Sequence, residues 1–250
     1  KPTDGNCEDF LFDIKKQYDK KQYDNIKFRQ MAEVFEHASN TLEDKTGFWA
    51  NEAGYLWHAV AEPRRALTCN LRSVEKKEQH QPDSRNLATG YNNVGVTYDA
   101  LGDHKQALEY KLKALGIRER VLPPEHPDLA LSYSNVGYTY GDLGDHEKEL
   151  EYDLKALAIR ERVLPGNHPS LALSFNNIAW TYYRLGQIGE AATHMRRAAD
   201  IINRSSLPET HPDRVDYNEW AGELKREYEM QQKILSQMRE WGVDPFGFGR

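Results

Sequence analysis

Nothing in this 250-residue chain is a long apolar run: no stretch of about 18 hydrophobic residues exists to span a bilayer. Positive charge is not in excess either. Lysine and arginine number 33 against 39 aspartates and glutamates, a net charge of −6, and nucleic-acid phosphates require a basic face. No nucleic-acid or membrane partner is therefore expected. Cysteine is scarce: Cys7 and Cys69 match no zinc or redox spacing. They read as unrelated free thiols of a reducing cytosol, which makes the expected location cytoplasmic. No signal peptide is recognisable, and a start at Lys1 rather than methionine suggests a trimmed or partial chain. A serine nucleophile elbow, a phosphate-binding glycine loop, a His-Glu-x-x-His motif and paired cysteines are all missing. The chain reads as non-enzymatic, with no cofactor and no metal. Period-two alternation and β-branched runs are also absent, which removes a sheet.

What is present is a repeat. Residues 87–128 and 129–170 align without gaps, and 28 of 42 positions are identical. Residues 171–213 follow more loosely, with Asn177-Ile178-Ala179 after Asn135-Val136-Gly137 and Leu185-Gly186 after Leu143-Gly144. Each copy holds two helical patterns. Leu87, Tyr91, Val94, Tyr98 and Leu101 form one apolar stripe at helical spacing. Leu101-Gly102-Asp103 ends that helix, with Gly102 suited to a left-handed residue. Leu108, Leu112, Leu115 and Leu122 line the second helix, with Ala107 and Ala114 where helices approach closely. Pro123-Pro124 stops it, and His126-Pro127-Asp128 restarts the chain, since proline suits the first helical turn and an acid its positive end.

A helix pair cannot bury its stripe alone, so neighbours must stack. The expected fold is all-α: a right-handed superhelical solenoid of antiparallel helix pairs with a concave groove. The pattern predicts helices over 47–61, 64–80, 86–101, 104–122, 128–143, 146–164, 170–185 and 188–204. Residues 1–46 read as an N-terminal helical hairpin and 47–213 as an array of about four copies, the first degenerate. Residues 214–250 read as a capping helix, or a fused pair, with an irregular tail.

The residues Asn93-Val94-Gly95, Tyr98, Leu101-Gly102, Ala107-Leu108, Ala114 to Leu122 and His126-Pro127 resemble tetratricopeptide repeats. The variety is the 42-residue one found in kinesin light chains and many bacterial signalling proteins. The resemblance implies that first helices line the concave face and that a protein or peptide ligand lies there. Candidate contacts off the packing seam are Asn92, Asn93, Val96 and Asp99 in one copy, and Ser134, Asn135, Tyr138 and Asp142 in the next. The third copy offers Asn176, Asn177, Trp180, Tyr183 and Arg184. An amide both donates and accepts, so Asn93, Asn135 and Asn177 either pair with a peptide backbone or satisfy the adjacent repeat. Tyr138, Trp180 and Tyr183 are either binding anchors or interhelical packing. Relatives use groove lysine and arginine to hold acidic motifs. Here Arg184 is the one cation among these positions, beside Asp99 and Asp142, so a neutral or mildly basic segment fits at least as well.

Two alternatives accompany this reading: a sensor or regulatory module of a larger signalling protein, and a self-assembling structural solenoid with Trp241, Phe246 and Phe248 as a packing contact. A metal site built from His126, His168 and His211 is rejected. Stacked repeats set them roughly 10 Å apart, whereas metal ligands converge within about 2 Å of one ion. Turn and helix-start chemistry is the expectation.

Overall fold

The computed structural model describes residues 25–41 and 46–240, and among them every regular element is an α-helix. In chain order these are α1 (Asn25–Thr41), α2 (Phe48–Ala59), α3 (Pro63–His80), α4 (Arg85–Ala100), α5 (His104–Val121), α6 (Pro127–Asp142), α7 (His146–Val163), α8 (Pro169–Arg184), α9 (Ile188–Arg204) and α10 (Pro212–Glu240). Two compact units divide the chain, Lys1–Tyr110 and Lys111–Arg250, the division falling inside α5. The eight helices expected from the repeat agree with α2 to α9 to within two residues at each end. The expected cap is one uninterrupted helix, α10. Of the opening hairpin only α1 lies among the described residues; Cys7 and the tail after Glu240 fall outside them. No described helix is long and apolar enough to cross a membrane.

Local chemistry sets the helix ends. Gly102, Gly144 and Gly186 have φ of 78°, 80° and 73°, the left-handed region that a side chain disfavours. Nothing lies within 4 Å of where a Cβ would sit on any of the three, so backbone handedness and not crowding selects glycine there. The amides of Asp103, Asp145 and Gln187 each bond back five residues, to Tyr98, Tyr140 and Tyr182, closing a Schellman-type end. Asp103 and Asp145 then cap the next helix, accepting from the amides of Gln106 and Lys148 at 3.1 Å. At the proline restarts, His126 Nδ1 accepts from the Asp128 amide and His168 Nδ1 from the Ser170 amide, each at 3.1 Å. These two histidines therefore start helices.

In the first unit α1 packs on α2, α2 on α3 and α3 on α4. Ala32, Phe35, Leu56, Trp57, Ala66 and Cys69 form the core shared by α1, α2 and α3. Trp57 is fully buried; its indole N–H donates to Glu36 at 3.0 Å, and Arg65 pairs with that carboxylate at 2.6 Å while lying 3.6 Å over the ring. Burial pushes the Cys69 thiol up to about 11, which makes it an unreactive core residue.

In the second unit α6 packs on α7, α7 on α8, α8 on α9 and α9 on α10. The core runs through Phe175, Ile178, Met195, Ile202 and Leu224. Burying each such side chain contributes roughly 1.5–3 kcal/mol. Two hydrogen bonds, one buried and one partly buried, recur at the repeat spacing and tie a second helix to the following first helix. Arg118 donates to Ser132 at 2.5 Å, and Arg160 to Ser174 at 2.8 Å.

Candidate functional site

The first helices of the second unit carry a stripe at positions i, i+4, i+7 and i+11. On α6 it reads Leu131, Asn135, Tyr138 and Asp142; on α8, Leu173, Asn177, Trp180 and Arg184. The step from α8 to α10 is 43 residues, from His168-Pro169 to His211-Pro212, so the stripe on α10 is Asp216, Trp220, Glu223 and Glu227. Apart from the half-buried Asn135 and Trp220, every one of these residues is solvent-exposed. Tyr138 is 62% exposed, Trp180 46% and Tyr183 38%, which puts exposed aromatic surface on consecutive first helices.

Three of these rings meet. Trp180 of α8 stacks on Trp220 of α10 with centroids 4.2 Å apart and planes at 25°. Tyr183 stands edge-on to both, at 6.0 Å from Trp180 and 6.4 Å from Trp220. The interplanar angles of 87° and 75° suit the quadrupoles of the rings. Trp220 escapes a reading based on the 42-residue period; the one-residue insertion before His211 was the signal that places it in the Asn177 position.

Cations arrive from below rather than from the first helices. Lys111 of α5 is only 3% exposed, and its ammonium donates to the Thr139 hydroxyl at 2.7 Å and the Asn135 carbonyl at 3.2 Å. The same nitrogen lies 5.8 Å from the Tyr138 ring centroid. Arg184, an expected ligand contact, is exposed and bonds to the buried carboxylate of Glu149 on α7. His146 Nδ1 lies 3.0 Å from the other oxygen of that carboxylate. One turn further along α7, Asp153 is also buried. Desolvation, reinforced by Glu149 and opposed by Arg160 and Arg184, raises its carboxyl to about 7. Glycine makes room for both acids. A Cβ on Gly137 would come within 3.0 Å of Asp153, and one on Gly141 within 2.7 Å of Glu149.

The remaining expected contacts, Asn92, Asn93 and Asp99, belong to the first unit. All three are half-buried. The Asn93 amide donates to Asn51 of α2 at 3.4 Å, and the Lys77 ammonium reaches the same oxygen at 3.4 Å. Asp99 pairs with His104 at 3.2 Å across the turn that follows α4. At the third copy the corresponding amides differ: Asn177 is exposed, and the half-buried Asn176 donates weakly to it at 3.5 Å. The expected ladder of equivalent asparagines is thus uneven, engaged with a neighbouring repeat at Asn93 and open to solvent at Asn177.

Comparison with known proteins agrees with this architecture. A family model described as a tetratricopeptide repeat matches residues 86–162 and again 128–204. Sequence comparison with curated proteins finds no match. Among solved structures, a putative kinesin light chain from Podosopora anserina with nearly identical repeats aligns with a TM-score of 0.67 at 20% identity, over 79% of this chain and 96% of that one. The apo form of RapI aligns with a TM-score of 0.69 at 14% identity, over 94% and 70%. A signal-transduction ATPase with numerous domains and a tetratricopeptide repeat sensor, from Pyrococcus horikoshii, aligns with a TM-score of 0.61 at 18% identity. That alignment covers 79% of this chain and 28% of the ATPase.

Proposed function

The chain carries tetratricopeptide repeats over residues 86–204, and on that premise we propose that it is a non-enzymatic protein-binding scaffold with repeats of the kinesin light-chain kind. Its ligand, an extended peptide segment, lies along the first-helix stripe of α6, α8 and α10. The observation that carries this reading is the exposure of Tyr138, Trp180 and Tyr183 on consecutive first helices, with Trp180 and Tyr183 clustered on Trp220, since grouped exposed apolar surface marks interaction sites. Aromatic anchors of this kind dominate peptide and protein interfaces. Asn177 beside them offers the amide donor and acceptor that an extended backbone needs, and Asn135 holds the same repeat position on α6. Asp142, Asn176 and Arg184 complete the contacts proposed on this unit. Asn92, Asn93 and Asp99, which belong to the other compact unit, are proposed as a lesser set. The buried Cys69 thiol suits a reducing compartment, the cytoplasm.

A sensor module of a larger signalling protein is a second reading, favoured by the likeness to the repeat sensor of the ATPase. Both readings use the same face and differ only in what flanks the chain. The test is site-specific photo-cross-linking in an extract of the native host. A photoreactive residue at Tyr138 or Asn177 is expected to capture a partner, and one at the exposed Lys155 of α7 is not. Trp180→Ala should weaken capture by roughly 30-fold, the loss of a 2 kcal/mol anchor. Capture from Lys155 alone, indifferent to Trp180→Ala, would place the ligand on the second helices and refute the reading.

A further inference from the structure

We propose that the α8–α10 end of this face is a seat for a cationic side chain, an arginine carried by a basic segment of the partner. The inference rests on the peptide-binding reading above and adds the ligand's chemistry to it.

Three observations converge. The first is the ring geometry. Trp180 and Trp220 stack at 4.2 Å with Tyr183 edge-on, a cluster of three rings in which Trp180 is nearly half exposed. Indole faces attract cations more strongly than other rings do, and a planar guanidinium can also stack on them. The second is charge. On the α10 stripe Asp216, Glu223 and Glu227 lie one to two turns from Trp220, all exposed. The one cation on these stripes, Arg184, is bonded to the buried Glu149, so its charge is matched from inside the protein.

The third is that several rings of the same unit already carry a cation of the protein, which, among the described residues, these three do not. Arg197 lies 4.4 Å over Phe175, Lys155 lies 4.8 Å over Tyr152, and Lys148 lies 4.9 Å over Tyr140. Tyr138 has Lys111 at 5.8 Å. Among the described residues no cation sits over Trp180, Tyr183 or Trp220. The seat is thus built and acid-flanked at the α8–α10 end. Lys111, beside Tyr138, disfavours a second cation at the α6 end, which fixes where along the face the arginine binds.

The test is selection of short random peptides displayed against the whole chain, followed by affinity measurement on recovered sequences. Recovered peptides are expected to be enriched in arginine over aspartate and glutamate. Replacing that arginine by citrulline, which keeps the shape and removes the charge, should weaken binding about tenfold. Glu223→Gln together with Glu227→Gln should weaken it about three- to tenfold, with less dependence on salt afterwards. The charge-matched variant Glu147→Gln with Glu209→Gln, away from the stripe, should do neither, which separates a local seat from general attraction to an acidic protein. Recovery of acidic or charge-indifferent peptides, or equal binding of the citrulline form, overturns the cation seat. The peptide-binding reading survives that outcome if Trp180→Ala still weakens binding by roughly 30-fold. Peptides that bind Trp180→Ala as well as the parent chain overturn both.

Discussion

Replacing Asp153 by asparagine should stabilise the protein, and by an amount that grows with pH. The carboxyl is buried on α7 against Gly137, with Glu149 one turn away and Arg160 and Arg184 as the nearby opposing charges. Desolvation comes first among the causes that raise it to about 7, and Glu149 second. In the unfolded chain the same group titrates near about 3.9. The folded protein therefore holds a proton that the unfolded chain has released between about pH 4 and pH 7. Stability tied to the neutral carboxyl is complete below about pH 4, falls across that window, and is flat above it. Three pH units at about 1.4 kcal/mol each give a ceiling of about 4 kcal/mol. Water penetration and the two arginines lower that figure, and about 2 kcal/mol is the expectation.

Asparagine matches the shape of aspartate and cannot ionise, so the difference between variant and parent isolates this one titration. Thermal melts of both chains, followed by circular dichroism in matched buffers, should give a variant-minus-parent difference in Tm that widens by several degrees from about pH 4.5 to about pH 8. A difference independent of pH would show that Asp153 does not change its proton on folding. A parent that gains on the variant as pH rises would show an ionised Asp153 held by Arg160 and Arg184, reversing the reasoning.

Two further outcomes are expected. Gly137→Leu should lower stability by about 1–3 kcal/mol, because a Cβ there already meets Asp153 at 3.0 Å and the Glu149 carbonyl at 3.2 Å. Lys155→Ala, which removes an exposed pair with Glu151, should cost under about 1 kcal/mol. Denaturant midpoints of the two variants decide it, and equal values would reject a close helix contact at Gly137. Asn93→Ala should cost about 1 kcal/mol through its lost bond to Asn51, whereas Asn177→Ala should leave the melt within about 0.5 kcal/mol of the parent. Equal effects would mean that the two amides play one role.

Helix positions and class were legible in the sequence because local chemistry dictates them. A glycine that must adopt positive φ, a proline in a first turn and an apolar stripe at helical spacing act within a few residues, and Gly102, Gly144, Pro127 and Pro169 end or start helices where the pattern requires. The surface pair Glu151 and Lys155 follows from equally local spacing, four residues apart on one helix and 2.6 Å apart in space. The candidate face was only half legible. Tertiary structure alone decided that Arg184 spends its charge on Glu149, 35 residues earlier, and that Lys111 rises from a second helix to the base of Tyr138. It also decided that Trp220 of the capping helix closes on Trp180. Asn93 and Asn177 hold the same place in the repeat, yet one is bonded to Asn51 and the other faces solvent. Repeat position determines which way a side chain points; what it meets there is set by the neighbouring helix, whose residues lie a whole repeat away in the chain and vary from copy to copy.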